Sequence, residues 1–200
     1  MKKIFRSDRI LLLLMVLLAS YQIVDGIDDA GTFAITAYTV AFGVLLVAGL
    51  LMIILGFDVL ETDIVVIVST IIPLSLSLGL VAEFFPQWRI PYLVFVLIGF
   101  MAIIITRYQA SRKVALIPLA VWHGISGIVI FVLPIYVSLT GLAPSAFVWV
   151  GAGGALIGVL GLMLTFLRSG NPVLSRETTL TAFPAILFLM TFAFVIGFKL

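Results

Sequence analysis

The run from Val114 to Leu167, VALIPLAVWHGISGIVIFVLPIYVSLTGLAPSAFVWVGAGGALIGVLGLMLTFL, contains no Lys, Arg, Asp or Glu. It is more than twice as long as the about 20 residues that one membrane crossing needs. Its middle, from Ser138 to Ser145, has the composition of a turn. The run therefore predicts two antiparallel transmembrane helices joined by a short loop, and this hairpin decides the fold class.

The whole composition agrees with a membrane protein. Of the 200 residues, 64% are hydrophobic and 10% are charged, with a mean hydropathy of +1.36. Soluble domains are about 45–50% apolar and about 25% charged. The fold class predicted is an all-α, polytopic membrane helical bundle whose main partner is the lipid bilayer. The few basic residues are scattered next to the spans, which argues against nucleic acid as a partner.

Charge-free stretches elsewhere predict five further spans, so residues 1–200 are expected to form a single bundle of seven transmembrane helices. The predicted spans cover residues 10–24, 33–57, 64–82, 90–106, 114–137, 145–167 and 178–198. The first span follows a basic start, as the apolar core of a signal peptide does. We expect it to remain in the protein as a membrane anchor.

Basic residues cluster at one set of span ends. Cytoplasmic loops of membrane proteins carry an excess of Lys and Arg, which predicts a cytoplasmic N-terminus and an external C-terminus. This orientation leaves only Arg89 and Lys199 outside. The cytoplasmic side then holds Lys2, Lys3, Arg6, Arg9, Arg107, Arg112, Lys113, Arg168 and Arg176. The size and style of the chain favour a plasma (inner) membrane.

Aromatic side chains with a polar group also fall near span ends. Such rings favour the headgroup level of a bilayer. We therefore expect an outer aromatic belt formed by Tyr21, Tyr38, Tyr92, Tyr136, Trp88 and Trp149.

The sixth span carries small residues at helical spacing. These residues share one face and are Gly151, Gly154, Gly158, Gly161 and Thr165. Small residues let a neighbouring backbone approach closely, so dispersion contacts hold the two helices. The stripe predicts helix packing inside the bundle. The alternative is that the Gly151–Gly161 face binds a second copy or a partner membrane subunit.

A candidate intramembrane polar site surrounds His123, the only titratable group well inside a span. An imidazole in hydrocarbon is costly and should face the bundle interior with a partner. Ser126 lies one turn further along the same helix. The third span adds Ser69, Thr70 and Ser77 near Pro73, a proline that frees a backbone carbonyl. This group predicts either satisfied structural polar residues or a pathway for protons or a small solute.

The segment Gly124-Ile125-Ser126-Gly127 is similar to the GxSG serine motif of rhomboid intramembrane proteases. In that family a glycine-rich later helix supplies the histidine base. The glycine-rich sixth span of this chain has no histidine, so Ser126 has no general base at the family's spacing. The resemblance does not extend to a catalytic pair, and we expect no catalytic residues.

A candidate outer-face site combines Glu83, Trp88 and Arg89 around the turn between the third and fourth spans. One acid and one base beside aromatic rings are able to close around a ligand. The alternative is an interfacial anchor with an exposed ion pair worth about 0–1 kcal/mol.

Two clusters of acidic residues lie in the loops. Asp25, Asp28 and Asp29 are in an outer loop, and the inner turn with Asp58, Glu61 and Asp63 has no base of its own. Neither has the spacing of an EF-hand, so no metal site is assigned. Weak cation binding at either cluster, and contact of the inner turn with a basic partner, are the alternatives that stay open. Without cysteine, thiolate metal sites are excluded. No particular cofactor is indicated.

Three functions stay open on these residues. The first is a non-catalytic subunit or scaffold of a membrane complex. The second is a transporter or channel for a small solute or protons that uses the His123 region, with spans two to four and five to seven as an inverted repeat. The third is an intramembrane lipid-modifying enzyme, which needs a nucleophile with its base, paired acids or a metal.

Overall fold

The structure is a computed structural model that describes residues 4–27, 30–169 and 174–199. Within these ranges the chain forms helices and short 3-10 turns, without a strand. Seven of the helices are long and apolar enough to cross a membrane. They are α1 (Arg6–Asp25), α2 (Thr32–Leu55), α3 (Asp63–Phe84), α4 (Arg89–Gln109), α5 (Arg112–Leu139), α6 (Val148–Ser169) and α7 (Arg176–Lys199). The prediction of an all-α multi-pass membrane protein is confirmed at this level.

Local backbone geometry sets two of the helix limits near predicted span ends. The second helix ends at Leu55 because Gly56 has φ 86°, a conformation that residues with a side chain rarely adopt. The Gly56 N–H still donates to the carbonyl of Met52 and closes the last turn. Before α6, Ser145–Phe147 forms a 3-10 turn, so the α-helix begins at Val148.

Six of the helices pack side by side in a closed ring in the order α1, α2, α3, α5, α6, α7. The helix α4 lies outside this ring, against α3 and α5. If α1, α2 and α3 are exchanged with α5, α6 and α7 respectively, each helix of the ring keeps equivalent neighbours. This arrangement pairs two triplets that run in the same direction, and it does not match the inverted repeat considered from the sequence.

Aromatic side chains meet across the inside of the ring. The Tyr38 and Phe198 ring centroids are 4.8 Å apart, and Phe42 packs edge-on against Phe194 at 6.3 Å. The 3-10 turn before α6 adds Phe147, 5.6 Å from Phe198. We call Tyr38, Phe42, Phe147, Phe194 and Phe198 the aromatic core. These contacts join α2, α6 and α7 across the ring.

The six rings of the predicted aromatic belt divide into exposed and inward-facing ones. Trp88, Trp149, Tyr21 and Tyr136 are indeed exposed. Tyr38 is only 1% exposed and belongs to the core instead. Tyr92 also turns inward, and its hydroxyl is buried. Position near a span end therefore did not distinguish rings that face lipid from rings that face the bundle.

The glycine stripe of α6 packs against α5 within the chain. A Cβ at Gly154 would lie 2.7 Å from the Ile130 carbonyl oxygen, and one at Gly151 would lie 2.8 Å from that of Phe131. A Cβ at Gly161 would be 2.8 Å from His123 Nε2. Gly158 has open space at this position, and the side chain of Thr165 lies outside the described residues. Most of the predicted face is thus occupied by the chain itself.

Ion pairs join the helix ends. At one end of the bundle, here called the basic end, Arg107 Nε lies 2.7 Å from Asp63 Oδ1 and Arg176 lies 4.0 Å from Asp58. Two acids of the turn before α3 therefore contact basic residues of the same chain. At the opposite end, here called the Glu83 end, Lys199 pairs with Asp25 and ties α7 to α1.

Replacing single glycines should separate covered from uncovered positions on α6. Gly154→Ala should destabilise the protein by about 1–3 kcal/mol, because the new methyl group meets the backbone of Ile130. Gly158→Ala meets nothing within 4 Å and should stabilise the helix by about 0.5–1 kcal/mol. Thermal unfolding of both variants in one detergent measures the difference. Equal midpoints would contradict the packing described for α6.

Candidate functional site

An open cleft lies at the Glu83 end of the bundle. The start of α2 lines one wall, and the end of α3 together with Arg89 lines the other. Its volume is about 680 Å³, within the about 300–1,000 Å³ that is usual for small-molecule sites. The lining residues are Gly31, Thr32, Phe33, Ala34, Thr36, Ala82, Glu83 and Arg89.

The acid of this cleft is held from behind by a buried tyrosine. The hydroxyl of Tyr38 donates a 2.5 Å hydrogen bond to Glu83 Oε2. A Cβ at Gly79 would overlap the Tyr38 ring, so only glycine one turn before Glu83 lets that ring pass. Since Tyr38 also packs on Phe198, the aromatic core fixes the position of the carboxylate.

The base of this cleft rests on an aromatic ring. The guanidinium carbon of Arg89 lies 5.3 Å from the centroid of the Phe33 ring, in a cation–π arrangement. Among the described residues, no carboxylate lies within 4.0 Å of this guanidinium. The predicted exposed ion pair between Glu83 and Arg89 is therefore not formed. Each charge is held by its own aromatic neighbour.

Trp88 does not join the acid and the base of the predicted outer-face site. It is 60% exposed and lines a separate apolar groove of about 340 Å³. The other residues of that groove are Val81, Phe85, Pro91, Tyr92 and Phe95. The structure thus brings Glu83 and Arg89 together in one cleft and places Trp88 in another.

The predicted intramembrane site is also divided. Ser69, Thr70 and Ser77 each donate to a backbone carbonyl three residues earlier in α3, at distances of 2.7–3.1 Å. Their hydroxyls are therefore hydrogen-bonded within their own helix. His123 faces α6 at Gly161, and its Nε2 is buried without a hydrogen bond among the described residues.

Two further hydroxyls are buried, that of Tyr92 on α4 and that of Ser126 on α5. Neither Tyr92 Oη nor Ser126 Oγ completes a hydrogen bond within the described residues. Ser126 is 0% exposed. Tyr92 also lines the apolar groove beside Trp88.

The sequence did not predict three residues that contact or line the candidate sites, namely Tyr38, Phe33 and Tyr92. Gly79, four residues before Glu83, was a usable signal, since a glycine beside a membrane carboxylate indicates a close neighbour. Nothing local pointed to Phe33, which is far from Arg89 in the chain.

Neither metal ligands in the described ranges nor similarity to known proteins assigns a further role to any residue. In the described ranges no three His, Asp or Glu side chains come together as a metal site requires. Asp28 and Asp29 of the predicted outer acidic loop lie outside those ranges. Comparison with protein families, with curated proteins and with solved structures finds no match for this chain.

The contribution of the Tyr38 hydroxyl can be measured directly. Tyr38→Phe keeps the ring in the aromatic core but leaves Glu83 without its donor, so it should lower the free energy of unfolding by about 1–3 kcal/mol. Tyr136→Phe is the matched control, because Tyr136 is exposed. Denaturation in detergent micelles compares the two variants. A Tyr38→Phe protein as stable as the control would exclude a structural role for this hydrogen bond.

Proposed function

We propose that this chain is a non-catalytic subunit or scaffold of a complex in a plasma (inner) membrane. The observation that carries the proposal is the aromatic packing inside the helical ring. The aromatic core joins α2, α7 and the 3-10 turn before α6 across the inside of the ring. A bundle packed in this way favours a role in binding and assembly.

The pairing of charges within the chain supports the same proposal. Asp63, Asp58 and Asp25 contact Arg107, Arg176 and Lys199 respectively. Each of these pairs joins two segments of the bundle at one of its ends. His123 faces Gly161 of α6, and Ser126 on the same helix is fully buried. Such an arrangement suits a protein whose polar groups stabilise its fold.

The partner face that we propose is the outer side of α5. Ile117, Val121, Gly124 and Ile128 are exposed and share one helical stripe. A Cβ at Gly124 would meet nothing within 4 Å, so this glycine is available to a backbone from outside the chain. The Gly151–Gly161 face retains only Gly158 for such a contact. A second copy or a partner subunit would pack along α5 and reach Gly158.

A small-solute or proton-linked transporter is a second candidate. The specific observation in its favour is the equivalence of α1–α3 and α5–α7 in the ring. Some transporters are built from parallel repeats related by an axis along the membrane normal. In such a protein the two triplets would move relative to each other, with α4 as the connection.

The orientation we propose has the basic end in the cytoplasm. Arg107 and Arg176 mark this end, and Arg6 begins α1 there. An excess of Lys and Arg is typical of cytoplasmic loops. The cleft with Glu83 and Arg89 would then open on the external side.

Native mass spectrometry from a mild detergent tests the subunit proposal. The protein should appear with a second copy or a partner subunit, and Gly124→Ile should remove that species because the side chain blocks close approach. Gly43→Ile is the matched control, since Gly43 on α2 also has open space at its Cβ position. A wild-type protein that stays a stable monomer and retains no other protein would contradict the proposal.

Cysteine labelling tests the orientation, because the chain has no cysteine of its own. Gln87 and Ser111 are exposed near opposite ends of α4. In intact cells a membrane-impermeant maleimide should modify Gln87→Cys. It should reach Ser111→Cys only after permeabilisation. The reverse labelling pattern would invert the protein and reject a cytoplasmic basic end.

A further inference from the structure

The cleft at the Glu83 end holds two opposite charges that do not neutralise each other. Opposite charges in one concave site attract, so their separation requires that each be held in place. The Tyr38 hydroxyl holds the carboxylate of Glu83, and the Phe33 ring supports the guanidinium of Arg89. The site is therefore arranged before a ligand arrives, which lowers the cost of binding.

Glu83 and Arg89 both keep hydrogen-bonding atoms that a ligand in the cleft is able to contact. Glu83 uses Oε2 for Tyr38 and makes no other hydrogen bond among the described residues. A guanidinium has five N–H donors that match a phosphate or carboxylate. For Arg89, within the same part of the chain, the contact with Phe33 is an aromatic one and uses none of these donors.

The start of α2 strengthens the side of the cleft that would bind an anion. Gly31 caps this helix without a side-chain hydrogen bond. Among the described residues, the first backbone N–H of this helix that has a backbone acceptor is that of Ile35, which donates to the Gly31 carbonyl. Free N–H groups and the positive end of the helix dipole favour an anion. These groups line the same cleft as Arg89.

We propose that this cleft binds a zwitterion whose ammonium lies on Glu83 and whose phosphate or carboxylate lies on Arg89 and the start of α2. A purely anionic ligand would meet the carboxylate, and a purely cationic one would meet the guanidinium. Only a ligand with both charges satisfies both walls. Zwitterionic phospholipid headgroups and small soluble zwitterions share this chemistry. The proposal holds whether the chain works alone or as a subunit.

Lipid retention in native mass spectrometry tests the charge pattern. Delipidated protein is supplied with phosphatidylethanolamine or with phosphatidylglycerol, which lacks the ammonium. The wild type should retain phosphatidylethanolamine about tenfold better. Arg89→Gln should weaken retention of both lipids. Glu83→Gln keeps an acceptor for Tyr38 and should weaken retention of phosphatidylethanolamine alone.

A control and a competitor complete the experiment. Arg176→Gln removes a cation at the basic end and should leave both retentions unchanged. Soluble glycerophosphoethanolamine, added as a competitor, distinguishes a membrane lipid from a small soluble zwitterion as the ligand. Displacement and retention of the lipid are both compatible with the proposal. Displacement of the lipid means that the headgroup alone is bound, and no displacement means that a membrane lipid is required.

Equal retention of both lipids by the wild type would overturn the proposal. So would a Glu83→Gln protein that retains phosphatidylethanolamine as well as the wild type, provided that its unfolding temperature is unchanged.

Discussion

Close approach between helix backbones is the constraint on which this structure depends. Lipid tails are as apolar as leucine, so apolar side chains gain little by leaving lipid for another helix. Dispersion contacts must hold the helices together, and these contacts fall off steeply with separation. Glycines lie where helices or large side chains meet. They are Gly49, Gly79, Gly99, Gly151, Gly153, Gly154, Gly161 and Gly197.

The same constraint positions the cleft. Gly79 admits the Tyr38 ring between α2 and α3, and this places the Tyr38 hydroxyl on Glu83. Gly197 lets α7 approach the backbone of α6 at Val150, which helps to bring Phe198 against Tyr38. The acid at the surface is thus supported by packing that begins in the aromatic core. The proposed ligand specificity is a consequence of how tightly the helices pack beneath it.

Some of the site was predictable and some was not. Glu83 and Arg89 were identified because charges are rare and lie near one turn. Their shared cleft is formed with the start of α2, which is distant in the chain. The hydroxyl of Tyr92 is buried, although this residue was assigned to the membrane surface. A tyrosine near a span end has the same local sequence context in either case, and only its helix rotation decides which way it faces.

The sequence by itself determined the number of helices, their approximate limits and the end of the bundle at which basic residues gather. These properties follow from the length of apolar runs and from the cost of charge in hydrocarbon, both of which are local. Tertiary structure alone decided that α4 lies outside the ring, that the α6 glycines face α5 and that Lys199 pairs with Asp25. Each of these depends on which helices become neighbours. That choice is made by shape complementarity between distant segments, which hydropathy does not encode.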